Sequence, residues 1–180
     1  PYTTLFRSPL SIFDRNQGSI REAQARRAQS DAELHATKTR TLGTLFALYR
    51  EIGDRLGEGL TLSNLGEAAM DRGDWKLAQR LFRESILVRQ ELGDRWGIAD
   101  SLESFANLLV AAGEPEKAMR LLGAALGLRD AIGSPPNPQV QARVDRNVAA
   151  SAEAIGTETV GSAMEAGRAL DVRHAVAEAR

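Results

Sequence analysis

The side chains able to do chemistry are few and scattered. Two histidines, His35 and His174, lie far apart, and neither has carboxylates at metal-ligand spacing, so both read as surface residues. Cysteine is absent, which removes disulfides, thiolate catalysis and Cys-ligated zinc. Gly57-Glu58-Gly59 hints at a phosphate-cradling loop. It has no Gly-Lys-Ser/Thr, no preceding strand, and its third glycine falls at the wrong spacing. No Gly-x-Ser-x-Gly elbow, His-Glu-x-x-His pair or facing carboxylates can be assembled. The acidic residues mostly alternate with arginine, as at Arg80, Arg83 and Glu84, which suits a solvated helix face. Trp75 and Trp96 are a residue type often found as partner anchors, although packing between helices accounts for them more simply. The expectation is a non-enzymatic chain with no catalytic, cofactor-binding or metal-binding residue.

What must position any functional side chain is a forty-residue repeat. Ile52-Gly53-Asp54-Arg55-Leu56-Gly57 returns as Leu92-Gly93-Asp94-Arg95-Trp96-Gly97 and again as Ile132-Gly133-Ser134. Pairing Gly53 to Leu92 with the residues forty further on gives ten identities, including Gly73, Ala78 and Arg89; they fall at turns and packing positions, as in a helical repeat protein. Leu62, Leu65, Ala69 and Met70 form one helical stripe, and Leu102, Phe105, Leu109 and Val110 repeat it. Gly73 can close a helix in the left-handed conformation, and Asp74 stands where the next helix needs an N-cap. Gly113-Glu114-Pro115 repeats that punctuation with proline in the first turn. A second helix carries Leu77, Ala78, Leu81, Phe82, Ile86 and Leu92, answered by Ala118, Leu121, Leu122, Ala125, Leu128 and Ile132. One hairpin cannot bury both stripes, so hairpins must stack, with Ala78 and Ala118 allowing close approach.

Composition agrees. At 43% apolar and 5% aromatic, the chain suits helices packed through Leu and Ala better than a sheet. A net charge of -1 gives no electrostatic reason to expect direct nucleic-acid or anionic-membrane binding. No apolar run approaches the roughly 20 residues of a membrane span, and no charged-then-apolar signal peptide opens the chain, so the expected location is cytoplasmic. Residues 1–8, Pro-Tyr-Thr-Thr-Leu-Phe-Arg-Ser, look like a translated sequencing adapter, which implies a gene cut at its 5′ end and a C-terminal piece of something larger. Residues 9–43 fit the period poorly and are expected to be a degraded or capping helical region, with repeats over 44–133. Ser134-Pro135-Pro136-Asn137-Pro138 marks a linker over 134–138. Beyond it, 139–180 should supply capping helices, with Val140, Val144, Val148, Ala152 and Ile155 as a stripe and Thr157 and Asp171 as N-caps.

Leu65-Gly66, Ala78, Phe82 and Ser85, matched by Phe105-Ala106, Ala118, Leu122 and Ala125, resemble the tetratricopeptide repeat. The resemblance covers about residues 44–133, with a period longer than the family's usual 34, and it implies an all-α solenoid of antiparallel hairpins closed by C-terminal capping helices. It also implies a concave groove on the first helix of each hairpin that holds a peptide, a protein or another domain of the parent chain. The outward residues there are Ser63, Asn64, Glu67 and Asp71, then Glu103, Ser104 and Asn107; the two Asn amides offer a donor and an acceptor to a ligand backbone. The recurrent Leu-Gly-Asp-Arg-Trp-Gly turn and the tail from Leu121 to Val176 are similar to the C-terminal repeats of large bacterial LuxR-like ATP-binding transcriptional regulators. That likeness implies an interaction or regulatory module, with an effector-sensing module of an ATP-dependent signalling enzyme, or a structural spacer, as the alternatives.

Overall fold

The computed structural model describes the backbone of residues 10–179 and the side chains of residues 17–179. The adapter-like segment 1–8 lies outside them. All described secondary structure is helical, and the chain divides into two compact units, 1–40 and 41–180.

Helix α1 (Leu10–Ile52) supplies the described part of the first unit and enters the second. Within the first unit its side chains are almost all solvated, Ile20 and Leu34 included, and the helix is held by pairs along its own surface such as Arg26 to Glu22 at 2.6 Å. It runs unbroken where the period would place a turn, because positions 33 and 34 are Glu and Leu rather than the Gly-Asp of 73 and 74.

The second unit is built from two full hairpins, α2 (Arg55–Asp71) with α3 (Trp75–Leu92) and α4 (Arg95–Ala111) with α5 (Pro115–Ala131). A glycine with φ between 64° and 81° follows each helix from α1 to α5, at Gly53, Gly73, Gly93, Gly113 and Gly133. At Gly93 the reason is visible. Its N–H reaches the Gln90 carbonyl at 3.1 Å and the Asp94 N–H reaches the Arg89 carbonyl at 2.9 Å, the paired closure that requires a left-handed residue. Asp94 then turns to the next helix, where its carboxylate accepts the Gly97 N–H at 2.9 Å. Asp54 and Asp74 do the same for Gly57 and Leu77. One residue thus finishes one helix and starts the next, so these turns need only two or three residues.

Phe82, Leu102 and Leu122 share a single core with Ala78, Ala118 and Ile98, all essentially inaccessible to water. Leu62 is also buried but sits outside that cluster. The Phe82 and Phe105 rings stack at 6.2 Å across the two hairpins. A methyl group at Gly66 would come within 2.8 Å of the Phe82 ring, which is why the first helix carries glycine there.

Helices α6 (Pro138–Ile155), α7 (Thr157–Arg168) and α8 (Val172–Glu178) complete the unit. Two sequence expectations are corrected. Pro138 opens α6 instead of closing a linker, since Asn137 accepts the Gln139 and Val140 N–H groups at 3.0 Å and Pro suits the first turn. Thr157 is already helical and Gly156 occupies the cap position of α7; Asp171 caps α8 through the His174 N–H at 2.9 Å. Helix α6 stands against α4 as α4 stands against α2, but α7 leaves α6 and lies along α5. The seam is glycine. A methyl at Gly167 would lie 2.0 Å from the Arg120 carbonyl oxygen, and one at Gly123 would lie 2.2 Å from that of Met164.

A candidate binding surface on the first helices

Helical spacing puts Leu56, Leu60, Asn64, Glu67 and Asp71 on one row of α2 and Trp96, Asp100, Ser104, Asn107 and Ala111 on the same row of α4. The seven groove residues expected from the sequence divide when the helices are in place. Asp71 is exposed, and Asn64, Glu67 and Asn107 are half-buried. Ser63, Glu103 and Ser104 are buried, at 3%, 1% and 3% exposure, so the outward placement expected for them is corrected.

The physical reason is that each is used between helices. Ser63 Oγ lies 3.0 Å from Ser85 Oγ and 2.9 Å from Ser101 Oγ, and Ser85 Oγ donates to the Gly59 carbonyl at 2.7 Å, so three hydroxyls join α2, α3 and α4. Glu103 forms a two-pronged pair with Arg129, whose Nη2 donates to Oε2 at 2.9 Å while Nε donates to Oε1. Ser104 Oγ donates to Glu67 at 3.2 Å, and Glu67 also faces the Arg143 guanidinium of α6 at 3.6 Å. The Asn107 amide meets the Met70 sulfur at 3.6 Å.

Arg89 and Arg129 occupy the same repeat position, yet their surroundings differ. The hydrogen bond to Glu103 raises the Arg129 pKa above its ordinary value. Arg89 is 2% exposed, its closest carboxylate is Asp100 at 3.7 Å, and its Nε and Nη1 have no hydrogen-bond partner. Burial lowers its pKa, partly offset by Asp100 and Asp94. The difference traces to one substitution between repeats: forty residues before Glu103 stands Ser63.

What sequence reasoning missed is apolar. Leu56, Leu60 and Trp96 are 58%, 47% and 50% exposed on consecutive first helices. Trp96 does not pack between hairpins; it lies open on one face with the Arg129 guanidinium 5.5 Å over its ring. Trp75 is also open to water at 42%. The signal was available in the four-residue spacing back from Asn64 to Leu60 and Leu56, once the helix is seen to begin at the Asp54 cap. Among the described residues, no group of His, Asp and Glu is arranged to hold a metal ion, and no helix is long and apolar enough to cross a membrane.

Stacked helical hairpins with a shared core and an open first-helix face define a helical-repeat protein of the tetratricopeptide-like kind. Residues 57–131 match the family described as tetratricopeptide repeat, a span covering most of both hairpins. No curated protein and no solved structure matches the chain. Tetratricopeptide repeats generally mediate protein–protein interaction and are typically non-catalytic.

Proposed function

We propose that the α2–α5 repeats bind a segment of another protein, or of another domain of the parent chain, across the first-helix row. The supporting observation is the exposed apolar set Leu56, Leu60 and Trp96 in matching register on adjacent helices. A few anchors, tryptophan prominent among them, supply most of the energy of such interfaces, and the leucines beside Trp96 help exclude water. Beside them Asn64, Glu67, Asp71 and Asn107 give a polar border, and the two amides serve a bound backbone. The net charge of -1 fits a protein partner better than nucleic acid.

Peptides selected against the full chain from a displayed random library provide the test. Trp96→Ala and Leu60→Glu are each expected to weaken the selected peptides by about 2 kcal/mol, roughly thirtyfold, and Asn64→Ala with Asn107→Ala to weaken them further. Trp75→Ala serves as the exposed-tryptophan control. Peptides that bind all of these variants equally well refute the surface.

For the parent, the Gly-Asp-Arg-x-Gly turn at 53–57 and again at 93–97 supports placing this region at the C-terminal end of a multidomain bacterial transcriptional regulator working in the cytoplasm. Reading the complete gene decides it. A phosphate loop and a helix-turn-helix elsewhere in the same chain are the expected result, and a kinase or cyclase pattern instead overturns it.

A further inference from the structure

A cavity of about 240 Å³ opens where α5 meets α7, α8 and the start of α4, and none of the first-helix row lines it. Leu128, Leu170 and Ala175 form an apolar wall. Arg95 and Arg168 also line it, and neither guanidinium has an ion-pair or hydrogen-bond partner among the described residues. The single carboxylate of the lining, Asp171, is already committed: its Oδ1 accepts the His174 N–H at 2.9 Å and faces the His174 Nδ1 at 2.9 Å. Two solvent-exposed arginines without a side-chain partner and one committed carboxylate therefore share the lining with an oily wall.

Size narrows the guest. At about 240 Å³ the space lies below the usual drug-sized site. A bare inorganic anion would answer the arginines and leave the apolar wall wet, while a neutral hydrocarbon would leave both guanidiniums unanswered. A planar carboxylate matches a guanidinium through paired N–H donors. We propose that this cavity binds a small organic monocarboxylate, with its carbon body against Leu128, Leu170 and Ala175 and its carboxylate between Arg95 and Arg168.

Calorimetric titration of the full chain with benzoate, benzyl alcohol and sulfate tests the assignment. Benzoate is expected to bind and benzyl alcohol to bind much more weakly. Arg95→Gln and Arg168→Gln should each weaken benzoate about tenfold or more. Because Ala131 is solvent-exposed at the cavity lining, Ala131→Phe should block entry while leaving the thermal melt unchanged. Absence of benzoate binding overturns the proposal, as does benzoate binding indifferent to all three variants. Sulfate bound as tightly as benzoate overturns the organic guest. The peptide-binding row stands or falls separately, since a chain that takes benzoate and selects no peptide keeps this site and loses the other.

Discussion

Arg129 and Arg89 show what one side chain decides. With Glu103 in place, the Arg129 charge is buried and answered; with Ser63 in the corresponding place, the Arg89 charge is buried and its nearest carboxylate stands at 3.7 Å. Removing one partner of a buried pair leaves an unanswered charge, which costs about 3–5 kcal/mol. Glu103→Gln should therefore lower the urea midpoint strongly without changing the helical spectrum of the folded state. The family resemblance assigns Ser63, Glu103 and Ser104 to an outward face, because a family pattern knows nothing of the particular helix that arrives alongside. The pairing of Arg129 with a carboxylate 26 residues away is a fact of stacking, legible only afterwards. Asp171 offers a residue-scale test in pH. Its pKa is held below the ordinary 3.8 by the His174 N–H bond, then by the His174 ring. A depressed carboxylate contributes stability that is complete above its unfolded value and is lost as pH falls through the lower folded one. Hydrogen exchange at the His174 amide should accordingly stay protected down to about pH 4 and quicken below it, whereas Asp171→Asn should remove that dependence.

Among the helices, the turns were the most readable part of the chain and the cap the least. Gly73-Asp74 and Gly93-Asp94 announce both their helix ends and their helix starts, since the left-handed residue and the capping carboxylate are chemically specific. Asp94→Ala should cost about 1 kcal/mol, measured by thermal unfolding, with fraying at the start of α4. The α5–α7 seam was hidden for the opposite reason. Glycines inside α7 lower helix propensity and look like weakness, yet Gly167 is what lets that helix touch the α5 backbone. Gly167→Ala improves propensity and should nevertheless destabilise by about 1–3 kcal/mol, because backbone stands on both sides of the new methyl. Ala78→Leu, at a fully buried position between helices, should cost a similar amount.

Over the second unit as a whole, the forty-residue period carried the fold class, the hairpin order and the shared core, because each hairpin has apolar faces that only a neighbour can cover. The binding surface was only half legible: its amides and acids were named, its tryptophan was named but read as packing between helices, and its leucines emerged once neighbouring first helices stood in register. Helices α6 to α8 close the stack, with Val144, Val160 and Val176 buried against it. A chain ending at Gly133 should lose the sharpness of its urea transition and bind a hydrophobic dye, while retaining most of its helical signal. The unequal arginines have a mechanical consequence as well. Under tension, the α4–α5 hairpin is riveted internally by the two-pronged Arg129–Glu103 pair, while across the seam between α3 and α4 the one ion pair among the described residues is the loose Arg89–Asp100 clasp, beside the Ser85–Ser101 hydroxyl contact and the Phe82–Phe105 stack. Pulled from its ends in an optical trap, the molecule should peel α2–α3 away first and yield α4–α5 in a later, higher-force rip.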